Sequence, residues 1–393
     1  MRRVLVLLPA VPDPPDAGAK LRNLGLLRLL SRTHEVDAIA FGTSDEHARL
    51  APLVRRPTVV PRPLRTNPDR LRDAFGTDLP DMAMRLWSAE FAAAVRGAVA
   101  AETYEAVQAE GIELAPYLGL VPPQQRIYDA HNAEFLLQRR ASEAPGPPLA
   151  RMYSRIQSRR LARFEREIVS TSRLTLAVSE HDANQLVALT NGNACIHVVP
   201  NGIDVTAFEF EPPAHSTRTM LFLGKLDFRP NTDAVRWLVR CVLPSVLQAV
   251  PNARLFAVGG APPRWLVRAG QRDSRIAVTG YVDDERPYLA RSSALLLPLR
   301  IGAGTRLKAL VAMASGLPII STRLGMEGLA AVSGEHYLRA ETATDWIDAI
   351  RLVLCDAALR QRLATNARVL VEQRYDWSAI APALRDAYGT VGV

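Results

Sequence analysis

Leu295-Leu296-Leu297-Pro298-Leu299-Arg300-Ile301-Gly302-Ala303-Gly304-Thr305-Arg306-Leu307-Lys308 is the stretch on which the fold turns. An apolar run of strand type enters a glycine turn, and the turn opens a helix whose pattern runs from about 305 to 315. Such a turn leaves backbone N–H groups and the positive end of a helix dipole aimed at one point, where an anion binds. Thr305 is placed to cap the helix, and Lys308, one turn in, can reach back as a compact charge. Taken alone, the loop reads equally as a capped helix with a solvated lysine.

The same alternation extends in both directions. Upstream, strand-type runs at 3–8, 36–41, 106–108, 126–128, 174–178 and 196–199 are separated by helical patterns, the first at 21–30. Residues 209–217, Glu-Phe-Glu-Pro-Pro-Ala-His-Ser-Thr, are polar, proline-rich and aperiodic, which predicts a linker. Alternation then restarts, with strands at 220–223, 254–258, 276–278, 294–298 and 319–321, and a helix at about 232–249. Two doubly wound parallel α/β domains follow, an amino-terminal one over 1–208 and a second over 218–375. Ligands are expected at the carboxyl ends of the strands, in a cleft between the domains.

Bulk properties agree. A chain of 393 residues suits two domains of roughly 150 to 200 residues, and 48% apolar residues argue against disorder. The short apolar run after Met1-Arg2-Arg3 meets Pro9 and is expected to be a buried strand rather than a signal peptide. No stretch is long enough for a membrane helix, since Gly316 and Pro318 interrupt the best candidate. Three cysteines without a CxxC pair predict neither a metal site nor a disulfide framework, and a cytoplasmic protein. The net charge of +8 suits an anionic partner, but forty-five arginines against three lysines also reflect a compositional bias.

That bias singles out the lysines. Lys20 lies in Asp16-Ala17-Gly18-Ala19-Lys20, the glycine turn after the first strand, and Lys225 lies in Leu223-Gly224-Lys225-Leu226-Asp227-Phe228-Arg229, the turn after the first strand of the second domain. With Lys308, all three occupy glycine turns suited to phosphate. Lys225 and Arg229 could neutralise a diphosphate; each turn by itself also reads as an ordinary surface turn.

Together with Asp129-Ala130-His131-Asn132-Ala133-Glu134, Val178-Ser179-Glu180, Val199-Pro200-Asn201-Gly202-Ile203-Asp204, Arg229-Pro230-Asn231, Gly280-Tyr281-Val282 and Leu324-Gly325-Met326-Glu327-Gly328-Leu329, these motifs stand in an order that spans nearly the whole chain. The sequence resembles the retaining GT-B glycosyltransferases of family 4, in the bacterial branch with Arg-Pro-Asn and Gly-x-Gly-Thr-Arg-Leu-Lys motifs. The resemblance implies two Rossmann-like domains facing a central cleft, and metal-independent transfer of a sugar from a nucleotide-diphosphate donor to a glycan, lipid-linked or small-molecule acceptor. It implies no cofactor beyond the donor and no nucleic-acid partner. By position, Lys225 stands where the family has a donor-phosphate arginine, and Arg229 one residue before its phosphate lysine. Lys308 and the amides of Gly302, Ala303, Gly304 and Thr305 complete the diphosphate site. Gly18 and Gly224 border the donor, Tyr281 and Val282 hold the base, and His131 positions sugar and acceptor. The helix at 376–393, with Trp377, is expected to cross back and complete the first domain.

One departure stands out. Val311 occupies the place of a glutamate that contacts the ribose in the family, and valine accepts no hydrogen bond. Glu327 is a candidate substitute. Loss of that contact also leaves room for a non-transferring enzyme of this fold, one that couples or epimerises, and for a catalytically silent scaffold. Residues 151–166 carry six arginines interleaved with apolar residues. They read as a solvated helix face, or as a peripheral contact with the inner face of a membrane.

Overall fold

The computed structural model describes residues 2–143, 147–210, 218–302 and 306–393. The chain divides into two compact units, Met1–Gly202 with Ile380–Val393, and Ile203–Ala379.

The first unit is built on seven strands: β1 (Arg3–Leu8), β2 (Glu35–Phe41), β3 (Arg56–Val60), β4 (Ala106–Glu110), β5 (Arg126–Ala130), β6 (Leu174–Ala177) and β7 (Ile196–Val198). Their order is β3-β2-β1-β4-β5-β6-β7, and every pairing is parallel. Helices that matter below are α1 (Gly18–Leu30), α2 (Glu134–Glu143) and α3 (Pro148–Thr171). The central strands are buried on both faces, which is why they appear in the sequence as continuous apolar runs. β3 escapes that signal. It is an edge strand with exposed residues, and it carries Pro57, which only an edge tolerates.

The second unit has six parallel strands in the order β10-β9-β8-β11-β12-β13. They are β8 (Thr219–Leu223), β9 (Arg254–Val258), β10 (Ile276–Gly280), β11 (Ala294–Leu297), β12 (Ile319–Ser321) and β13 (Leu338–Arg339). Its sheet has a core on each face: Met220 and Phe222 of β8 enter one, Leu221 and Leu223 the other. The helix expected at 232–249 is three pieces, α4 (Arg229–Trp237), a π-turn over Leu238–Val242, and a short helix from Leu243. Pro244 lacks the N–H that a regular helix would use there. The helix after the glycine loop, α5 (Leu307–Ala314), begins two residues later than the pattern suggested, with Arg306 at its cap position and no side-chain cap.

The boundary between the units differs from the expected one. Residues 203–208 belong with the second unit: Ile203 N–H bonds the Tyr375 carbonyl at 2.8 Å, Val205 N–H bonds Asp376, and both side chains enter the second unit's core. Most of the expected linker, 211–217, lies outside the described residues. The return crossing falls inside the last helix, α6 (Trp377–Thr390), so that Trp377 belongs to the second unit and Ile380 onward to the first. Ile380, Leu384, Ala387 and Tyr388 are buried, and the Tyr388 hydroxyl donates to Gln108 Oε1 on β4. The three cysteines are free thiols. Among the described residues, no helix is long and apolar enough to cross a membrane.

Candidate functional site

In the second unit, three strands end in glycine. Gly224 follows β8 with φ +139°, Gly259 follows β9 with φ +147°, and Gly280 closes β10 with φ +75°. They interlock: Gly224 N–H bonds the Val258 carbonyl, and Gly259 N–H bonds the Gly280 carbonyl, each at 3.0 Å. A Cβ on Gly259 would lie 2.0 Å from the Gly224 oxygen, and one on Gly224 would lie 2.9 Å from Asn231 Nδ2 and 3.0 Å from Lys308 Nζ. A side chain is therefore excluded at Gly259 by backbone contact as well as by conformation, whereas at Gly224 it is opposed by backbone conformation and would displace the ends of Asn231 and Lys308.

Lys308 occupies the space that Gly224 leaves. Its Nζ donates to the Leu223 carbonyl at 2.9 Å and to Asn231 Oδ1 at 3.0 Å, and lies 5.5 Å from the centroid of the Phe222 ring. The ammonium is held by two acceptors and a ring face, without an ion pair among these contacts. Burial, reinforced by the charge of Arg306, pushes its pKa down to about 7, against the opposing pull of Glu285. Asn231 links two parts of the site, because its Nδ2 also donates to the Lys225 carbonyl at 2.9 Å. Asn231 was visible in the sequence only as the end of Arg-Pro-Asn, without a role of its own.

Other expected donor residues are placed less tightly. The Lys225 side chain is mostly exposed, 3.7 Å from Asp227, and does not join Lys308. A four-carbon stem on an exposed turn has no packing to direct it inward. Arg229 is exposed at the first position of α4. Gly302 has φ +142°, and a Cβ there would lie 2.5 Å from Arg306 Nη2, so this glycine accommodates a folded-back guanidinium. Ala303, Gly304 and Thr305 lie outside the described residues. Tyr281 is exposed after β10, and Val282 packs against the core that holds Val311 and Met326. Val311 is buried in that core, and Glu327 directly follows Met326, half-buried at the end of a 3₁₀ turn over Leu324–Met326.

The first unit carries a buried charge network at the carboxyl ends of β4 and β5. Sheet register pairs Glu110 with Asp129, which sets two buried carboxylates side by side. Arg22 of α1 answers them. Its Nε and Nη2 grip Asp129 at 2.7 and 2.5 Å, and its Nη1 donates to the carbonyls of Val199 and Pro200 and to Asn201 Oδ1. His131, one residue beyond β5, points Nε2 at Glu110 Oε2 (3.2 Å) and Asp129 Oδ2 (3.3 Å). Burial opposes the imidazolium, but hydrogen bonds to Asp129 and Glu110 outweigh it and push its pKa up to about 9. Burial would raise the Asp129 carboxyl as well, yet Arg22 holds it well below the usual range. Burial and the Asp129 charge push Glu110 the other way, up to about 7. Glu110 Oε1 also accepts Gln108 Nε2 at 2.5 Å.

Glu110, Asp129 and His131 bring ligand-type atoms within 4.8 Å of one another, a spacing that suits a metal ion. Arg22 already takes both Asp129 oxygens, so the cluster is balanced by an internal cation, and it reads as an ion-pair network. The loop after His131 is fixed by another buried carboxylate: Glu165 of α3 accepts the N–H groups of Glu134 and Phe135, at 2.9 and 2.7 Å, at the start of α2. Anions are stabilised at a helix amino terminus, and burial still pushes this carboxyl up to about 8. Gly18 is the exposed first residue of α1, whose cap residue Ala17 offers no side-chain acceptor, and nearby Lys20 pairs with Asp16 at 3.1 Å.

Two parallel Rossmann-like domains with charged and glycine-rich turns at their strand ends define the GT-B class of fold. Sucrose-phosphate synthase from Thermosynechococcus elongatus shares it, with a TM-score of 0.74, 18% identity and 99% of each chain covered. HepE of Anabaena, solved in complex with UDP and glucose, shares it with a TM-score of 0.69 and 14% identity over 99% of this chain and all of that one. Residues 18–207 match the family described as Glycosyltransferase Family 4, and residues 217–356 match Glycosyl transferases group 1. The chain belongs to the GT-B glycosyltransferases of this group 1 and family 4 type. Among curated proteins, a glycogen synthase of Mycobacterium tuberculosis is 28% identical over 208 residues, 50% of this chain and 49% of its own. A phosphatidyl-myo-inositol mannosyltransferase of the same organism is 29% identical over 206 residues, 49% of this chain and 53% of its own. The match thus spans about half the length of these relatives.

Proposed function

We propose that this protein transfers a sugar from a nucleotide-diphosphate donor to an acceptor hydroxyl, with retention of configuration. Lys308 is the observation that carries the proposal. A lysine ammonium held against a glycine turn by two neutral acceptors is short of negative charge, and a diphosphate supplies it. Lys225, Arg229 and the amides from Gly302 to Thr305 add cationic and dipolar stabilisation as the diphosphate departs, so the charge is compensated without calling on a metal. No Asp or Glu occurs between Leu295 and Gly316, which favours proton transfer from the acceptor to the leaving phosphate over a carboxylate nucleophile. Attack then comes on the face the phosphate leaves, and configuration is kept. His131, held by two carboxylates through Nε2, orients sugar and acceptor. Glu327, next to the core residue Met326, stands in for the ribose acceptor absent at Val311.

HepE was solved with UDP and glucose, so uridine donors head the panel to be tested. The test combines a thermal-shift screen against nucleotide sugars with NMR of the product. Binding to a nucleotide sugar and a product of unchanged anomeric configuration are expected, and Lys308→Met should lower kcat by about 10²–10³-fold. An inverted product overturns retention, and no binding to any nucleotide diphosphate overturns transfer itself.

A further inference from the structure

α3 is longer than its place in the fold requires. It has 24 residues, about 36 Å of helix, and it crosses between β5 and β6, strands of five and four residues that span only about 13–17 Å. Its carboxyl half packs on the unit through Leu161, Phe164, Ile168 and Val169. Its first turns instead bury only Ser154 and Gln157. The crossover joins parallel strands, so α3 runs back against them, and its surplus length extends on the side of the strand carboxyl ends, where His131 lies. The overhang is braced by α2: Ser158 donates to the Phe135 carbonyl at 2.9 Å and Arg151 to the Ser142 carbonyl at 3.1 Å.

This overhang has a two-part chemistry. Leu149, Met152, Tyr153 and Ile156 are 76, 56, 42 and 45% exposed, and their spacing of three, one and three residues forms one stripe on the helix. Exposed Arg155, Arg159 and Arg163 flank and continue it. No Asp or Glu occurs from Pro148 to Phe164. Single exposed apolar side chains are ordinary, but four in one stripe bordered by uncompensated arginines are not. A second copy of this chain would present arginine to arginine and be repelled. A bilayer with anionic headgroups satisfies both parts at once, taking the apolar stripe into the headgroup and acyl boundary while the arginines meet phosphates.

We propose that the amino-terminal half of α3 docks this protein on an anionic lipid bilayer, apolar stripe inward and arginines at the headgroup phosphates. The surface lies wholly on the first unit and does not depend on the transfer reaction. Docking here sets the membrane beside the His131 end of the first unit.

The full chain is sedimented with vesicles of phosphatidylglycerol and phosphatidylcholine in equal parts, and with phosphatidylcholine vesicles alone, at about 0.1 M salt, where charge screening is still moderate. Two triple variants accompany it: Leu149→Ser with Met152→Ser and Ile156→Ser, and Arg155→Gln with Arg159→Gln and Arg163→Gln. All six side chains are exposed, so unchanged thermal midpoints should show that the fold is kept. Binding to the mixed vesicles alone is expected, reduced at least about tenfold in each triple variant. Absence of binding to the mixed vesicles, or equal binding to both kinds, overturns the proposal. So does full binding by either triple variant. Vesicle-free ultracentrifugation that finds a dimer lost in the apolar variant assigns the stripe to self-association and overturns it as well.

Discussion

Two basic side chains, the half-buried Lys308 and the buried Arg22, are held in opposite ways. Lys308 has neutral oxygens around it and a lowered pKa, whereas Arg22 has a carboxylate gripped through two nitrogens. The first is poised to receive an anion and the second already has one. With burial and then Arg306 pushing Lys308 down to about 7, an increasing share of the amine is neutral as pH rises above 7. A bound diphosphate favours the ammonium, so binding takes up a proton, and affinity should fall by up to about tenfold per pH unit from 7 to 9. Calorimetry in buffers of different ionisation enthalpy measures that uptake; a pH-independent affinity, or one unchanged in Lys308→Met, contradicts it. For the other cation, Asp129→Asn leaves Arg22 buried beside a neutral amide. Breaking a buried pair from one side costs about 3–5 kcal/mol, so urea unfolding of this variant should show a loss of that size. A loss under about 1 kcal/mol would mean that solvent reaches the guanidinium.

Among the elements, the strand-end glycines show how a turn is shaped by its neighbour. Gly259→Ala puts a methyl 2.0 Å from the Gly224 oxygen at a backbone angle that side chains avoid. Strain and overpacking should each cost about 1–3 kcal/mol, and the displaced Gly224 turn should carry Lys308 with it. The expected result is a lower urea midpoint together with weaker binding of nucleotide diphosphate. Gly334→Ala is the control: φ is +84° but nothing lies within 4 Å, so only stability should fall. If both variants bind equally well, the glycine seam does not shape the turn that holds Lys308. The strands themselves were legible in the sequence because burial on both faces gives them unbroken apolar runs, as at Leu295, Leu296 and Leu297. β3, exposed and holding Pro57, was not, and neither was the two-residue β13.

At the scale of the molecule, the chain leaves its first unit and returns to it through α6. Truncation after Ala379 removes the buried side chains of Ile380, Leu384 and Tyr388 from the first unit and leaves the second unit's residues intact. Burial of three such side chains contributes roughly 5 kcal/mol, a large part of a domain's stability. Calorimetry of the truncated chain should show the transition of the first unit lowered or lost while that of the second persists. Unaltered transitions would show that the helix adds nothing to the first unit.

The sequence by itself determined that there are two parallel α/β domains, and it singled out the glycine turns with their lysines as candidates for donor contact. Those signals are local: apolar periodicity, glycine at strand ends and a rare residue type are readable within a dozen neighbours. Tertiary structure alone decided which charges meet. Arg22 and Asp129 are 107 residues apart, and Glu110 faces Asp129 only because β4 and β5 pair in that register. It also decided that Lys308 and not Lys225 turns inward, since Asn231 and the Leu223 carbonyl catch one ammonium while the other stands in solvent. An ion pair depends on where two distant backbones come to lie, and no short window of sequence contains both.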